Sequence, residues 1–133
     1  MIKLFIGGKG SGKTKTLIEL ANNAANTSNG SVVCIEKGDK LTHDITYKAR
    51  LVDTDEYKIV DAISLYGFIA GILASNNDIT DVFVDSGLKI AGNDVVGFEE
   101  MLNKLKNISA DVNIVITASI PVEECPERIK AYA

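Results

Sequence analysis

The residues Gly7-Gly8-Lys9-Gly10-Ser11-Gly12-Lys13-Thr14 satisfy the spacing G-x-x-x-x-G-K-[ST] in full. These residue types suit one task, wrapping a crowded polyanion. Backbone N–H groups must point inward to make a concave nest. Side chains would block that approach, so Gly7, Gly8, Gly10 and Gly12 keep the lining bare. A helix starting where the loop ends adds unpaired N–H groups and the positive end of its dipole. Lys13 supplies a point charge, and the Thr14 hydroxyl is a hard oxygen ligand of the kind Mg²⁺ takes. The expected contact set is Gly8, Lys9, Gly10, Ser11, Gly12, Lys13, Thr14 and Lys15. The expected ligands are a nucleoside triphosphate, ATP by default, and Mg²⁺. A strand directly before the motif and a helix directly after it lift the match above chance.

The ion needs a partner from elsewhere in the chain. Asp85 follows Val82-Phe83-Val84 at the end of an apolar run, the place for an aspartate that holds the hydration shell of the ion opposite Thr14. The plainer alternative is a strand-end aspartate that caps a turn. A base for water activation is harder to place, because Ser86 follows Asp85 where an acid would serve. Glu36, at the carboxyl end of the second apolar run, is the substitute, with Asp39 next. Lys13 and Glu36 are therefore the expected catalytic residues, unless Glu36 is merely a solvated strand-end acid. Glu99 and Glu100 read as helix-face acids. Thr117 and Ser119 could reach a terminal phosphate or the attacking water, or be ordinary satisfied hydroxyls. His43, the only histidine, lies in a polar loop and is assigned no acid–base role.

The elements that would position these groups follow from periodicity. Ile2–Ile6 and residues 31–36, 81–85 and 113–118 are short apolar runs of the buried-strand type. Leu17, Leu20, Ala21, Ala24 and Ala25 recur at helical spacing from about Lys13 to Ser28. Residues 37–44 read as a loop, and 45–52 alternate as a strand with one face buried. Residues 59–75 predict a helix apolar on nearly every side, either a buried layer or a subunit contact. Residues 86–93 read as a loop, and Phe98, Met101, Leu102, Leu105 and Ile108 mark an amphipathic helix. Strands alternating with helices predict an α/β three-layer sandwich with a mostly parallel sheet of about five strands. One domain spanning residues 1–133 is expected. Ligands of such sheets bind at the carboxyl ends of the strands.

Charge narrows the partners. With 14 basic and 18 acidic residues the net charge is −4, and only Arg50 and Arg128 are arginines. That balance argues against a grip on a nucleic-acid backbone. Cys34 and Cys125 make neither a C-x-x-C pair nor a zinc set. No stretch reaches the length of a membrane span, and a cytoplasmic location is expected.

With these residues placed, the chain resembles RecA-like P-loop NTPases. Gly-Ser-Gly-Lys-Thr, a helix, then Val-Val-Cys-Ile-Glu and a loop are similar to the start of a RecA-type ATPase core. The resemblance implies that a glutamate at or near Glu36 activates water. Residues 1 to about 118 also resemble the nucleotide-binding core of thymidine kinases, where a strand like Ala49-Arg50-Leu51-Val52, an acidic turn and a helix precede the aspartate strand. Those kinases carry a glutamate where this chain has Ser86, and a zinc ribbon that two cysteines cannot supply. The MinD-type branch would place a second lysine at Gly8, so Lys9 reads as a loop lysine. Asn103-Lys104-Leu105-Lys106 lacks the aspartate of a guanine signature, which leaves adenine as the default. The expected function is a slow or partner-activated ATPase. The alternatives are a small-molecule kinase and a non-catalytic nucleotide-binding protein of a homo-oligomer or larger assembly.

Overall fold

The computed structural model describes residues 1–109 and 111–133. The strands β1 (Ile2–Gly7), β2 (Ser31–Glu36), β3 (Arg50–Asp53), β4 (Ile79–Val84) and β5 (Asn113–Ser119) form one sheet in the order β1-β5-β4-β2-β3. Every strand pairing is parallel. The expected α/β layering with about five strands is present, and the sheet is parallel throughout. Such a sheet needs apolar cover on both faces. On one face α2 (Ala62–Ser75), α3 (Gly87–Ile90), α4 (Val95–Ile108) and α5 (Glu127–Lys130) bury Leu65, Ile69, Phe98 and Leu102 against Ile35, Val84 and Ile116. On the other, α1 (Lys13–Thr27) and residues 37–49 bury Leu17, Ala21, Leu41 and Ile45 against Cys34 and Phe83. No helix among the described residues is long and apolar enough to cross a membrane.

The sheet order sets the geometry of the carboxyl edge. β5 lies between β1 and β4, so the ends of those two strands sit about 10 Å apart. β2 is one strand further on.

The long helices start differently. Asp61 caps α2, accepting from Ser64 N at 2.8 Å, and its own amide donates to Ser64 Oγ at 3.2 Å. Asp94 caps α4 by accepting from Gly97 N at 3.0 Å. α1 has no such side chain: its N-cap is Gly12, at φ +85°. Its first-turn amides are left facing the loop.

Several sequence expectations change. Residues 45–49 are not strand: they fold as turns, with Ile45 N and Ala49 N donating to Leu41 O and Thr46 O. Asn22 of α1 takes the backbone groups that a sheet would have used, donating to Asp44 O and accepting from Thr46 N, both at 2.8 Å. Ile45 and Ala49 still face the core, while Tyr47 is 91% exposed. The helix expected from residue 59 begins at Ala62, where Asp61 caps it. α2 is apolar on nearly every side, as expected, but it is not buried on every side: Ile63 is 79% exposed. Residues 86–93 hold the one-turn helix α3 rather than an irregular loop.

Candidate functional site

The segment between β1 and α1 is a tight arch. Gly10 takes φ +78° and Gly12 φ +85°, and a Cβ on either would point into open space. Glycine is needed there for backbone conformation, and its lack of a side chain leaves the concave side bare. Lys13 Nζ folds back over the arch, donating to Gly8 O at 2.8 Å and to Ser11 Oγ at 3.1 Å. Burial lowers the pKa of this ammonium from its ordinary value, against the opposing pull of the Asp85 carboxylate.

Asp85, 9% exposed, joins three elements. Its Oδ1 accepts from Thr14 Oγ1 at 3.0 Å and from Thr117 Oγ1 at 2.8 Å. Thr117, at the end of β5, also accepts from Ser86 N at 2.8 Å. The loop motif and the strand-end aspartate, 71 positions apart in sequence, thus meet at one point. Ser86 sits at φ +59°, an uncommon conformation for a residue with a side chain, and turns the chain directly into α3.

A cleft of about 680 Å³ opens over this junction. Lys9 to Lys15 form one wall, Ser119 stands at the end of β5, and Ser86, Leu88, Lys89, Asn93 and Lys40 line the far side. Five lysines therefore converge on one cleft of a chain whose net charge is −4. No carboxylate is among the described residues that line it. Such a cleft can hold a polyanion of several charges.

Thr14 Oγ1 and Asp85 Oδ1 are adjacent hard oxygens, the donor set that Mg²⁺ accepts. Among the described residues no group of three or more His, Cys, Asp or Glu side chains could hold a metal ion. An ion at the Thr14–Asp85 pair would thus take its other ligands from waters and phosphate oxygens, as Mg²⁺ commonly does.

Of the residues expected from sequence, Lys9, Gly10, Ser11, Gly12, Lys13, Thr14 and Lys15 line the cleft, and Asp85 lies against Thr14. Gly8 takes part through its carbonyl, which holds Lys13. Glu36 does not line the cleft. It is 3% exposed, and its Oε1 and Oε2 accept from Leu41 N at 3.3 and 3.0 Å. Burial raises its pKa and the nearby Asp85 and Asp53 add to the rise, with the amides of Leu41 and Lys40 opposing them. In this arrangement Glu36 fastens the chain after β2. Asp39 is exposed and outside the cleft lining. Thr117 is committed to Asp85, whereas Ser119 faces the cleft. Lys40, Lys89 and Asn93 were not singled out from sequence. The available signal was their position, in chain that follows the carboxyl ends of β2 and β4.

Neither arginine lines the cleft. Arg50 opens β3, at the opposite end of the sheet, and Arg128 pairs with Glu99 at 3.8 Å.

No family model and no curated protein matches this chain. Among solved structures it is similar to domain III of the Thermotoga maritima replication initiation protein DnaA, with a TM-score of 0.49 and 17% identity over 98% of this chain. The chain spans 50% of the length of that chain.

Proposed function

We propose that this chain binds a nucleoside triphosphate with Mg²⁺ in the lysine-lined cleft, with ATP as the default nucleotide. The observation that supports it most is the meeting of Thr14 with Asp85 beside an arch of bare amides that carries Lys13. Amides of the arch and of the uncapped first turn of α1 hold the phosphates. Lys13 leaves Gly8 O and turns its charge to the anion. Thr14 and Asp85 would hold Mg²⁺, which would neutralise phosphate charge at that point.

Turnover is slow, or waits for a partner. The cleft lining described above offers no carboxylate to orient water, and no arginine to meet charge on the transferred group. A homo-oligomer or larger assembly could bring both, and the exposed Ile63 on α2 is one place for such a contact. The acidic balance of the chain disfavours nucleic acid as that partner.

Calorimetry with a non-hydrolysable ATP analogue tests the reading. Binding that needs Mg²⁺ and disappears with EDTA is expected. Well-folded protein that gives no heat with any Mg-nucleotide overturns it.

A further inference from the structure

The arch accounts for only one wall of the cleft. The far wall is built from two short pieces that the motif does not include, and each presents a lysine. Lys89 is the exposed residue of α3 between buried Leu88 and Ile90. The piece that carries it is bounded by Ser86 and Asn93, both non-glycine residues at φ +59°. Lys40 precedes Leu41, which is buried and whose amide donates to Glu36. Both lysines are thus exposed positions beside buried anchors. Their backbones are held while their ammonium groups stay free to meet an anion.

The sheet order says which part of a polyphosphate they would meet. β1 is an edge strand; Tyr132 O accepts from Leu4 N midway along it, and no further strand stands beside the arch to bar a bulky nucleoside. The other direction runs over β5 to β4 and β2, and is closed by α3 and the chain after β2. The Thr14–Asp85 pair lies on that second path. An anion held by the arch therefore sends its terminal group toward Lys89 and Lys40.

We propose that Lys40 and Lys89 read the terminal phosphate of the bound nucleotide, so that this chain itself supplies the charge that separates a triphosphate from a diphosphate. The inference rests on the nucleotide-binding reading above. It gives a role to two residues outside the motif, and it replaces an arginine that the cleft lacks with one lysine from α3 and one from the turns after β2.

The test is calorimetry with Mg²⁺ and either a non-hydrolysable ATP analogue or ADP. It uses the wild type, Lys40→Ala, Lys89→Ala, the double variant, and Lys104→Ala as a lysine outside the cleft. The double variant is expected to lose about tenfold or more in affinity for the ATP analogue, the worth of one charge-assisted contact, with ADP changed by less than about twofold. Lys89→Arg keeps the charge and is expected to keep the discrimination. Equal losses for both nucleotides would reduce the two lysines to a general field and overturn the inference. So would unchanged affinity for both. A wild type that binds neither nucleotide sinks the functional reading instead. Thermal melts that superimpose on the wild type establish that each variant is folded.

Discussion

Replacing Lys13 by alanine isolates the exchange on which the proposed phosphate binding would depend. Before binding, the ammonium donates to Gly8 O at 2.8 Å and to Ser11 Oγ at 3.1 Å, both neutral acceptors. The donor is already charged, so each of these bonds lies near the lower end of the range of about 1.5–3 kcal/mol for bonds with an ionised partner, and an ionised phosphate oxygen moves it toward the upper end. Moving two bonds from neutral oxygens to phosphate oxygens therefore gains about 1 kcal/mol each, or about 2 kcal/mol together. At about 1.4 kcal/mol per tenfold, Lys13→Ala should weaken Mg-ATP binding about 30-fold. The loss should shrink as salt screens the cleft. Calorimetry at two ionic strengths reads both effects. A change below about threefold at low salt would refute the exchange, since the ammonium would then have gained nothing by leaving Gly8 and Ser11.

Three further outcomes follow from the same geometry. Thr117→Val removes the donor to Asp85 and the acceptor of Ser86 N, and should cost about 1–3 kcal/mol in thermal denaturation without nucleotide; an unchanged melting temperature contradicts the assigned bonds. Glu36 has a folded pKa raised by burial, so the folded state holds its proton longer than the unfolded one. Its stabilising contribution is present below the ordinary value of 4.5 and is lost as pH rises through the raised folded value. Wild type minus Glu36→Gln stability should therefore fall as pH climbs from about 4.5 through the raised folded value and level off beyond it, and a difference that rises with pH contradicts the sign. Cys34 is fully buried and its thiol is pushed up to about 12, chiefly by that burial. It should resist alkylation at pH 8 until the protein unfolds, as mass spectrometry of partly labelled protein would report.

The sheet was largely legible because parallel strands covered on both faces must be apolar at nearly every position. Residues 31–36 and 113–118 carry that mark. The arch was legible because its glycines are forced by backbone angle, as at Gly12. Asp85 was legible as the acid that ends an apolar strand, and it does meet Thr14. What stayed hidden depends on which backbone partner wins. Residues 45–49 alternate as a strand would, yet Asn22 on α1 competes for the same groups and produces turns. Glu36 has the sequence position of a base, but two backbone amides five residues on, or nearly so, claim its carboxylate. Lys40 and Lys89 have no motif at all. Their place in the cleft emerges only when the order β1-β5-β4-β2-β3 brings the turns after β2 and helix α3 to one edge.

The turns at residues 37–49 have a dynamic consequence. They occupy half a layer above Cys34 and Phe83, but they lack the repeating ladder of a helix, and side chains from neighbouring elements, those of Asn22, Glu36 and Asp53 among them, anchor their backbone. A cover so assembled detaches at lower free energy than the β-strand beneath it. The turns around Lys40 are thus expected to open before the strand they cover. Backbone deuterium uptake there should exceed that of β2 and should fall more than that of β2 when a ligand fills the cleft.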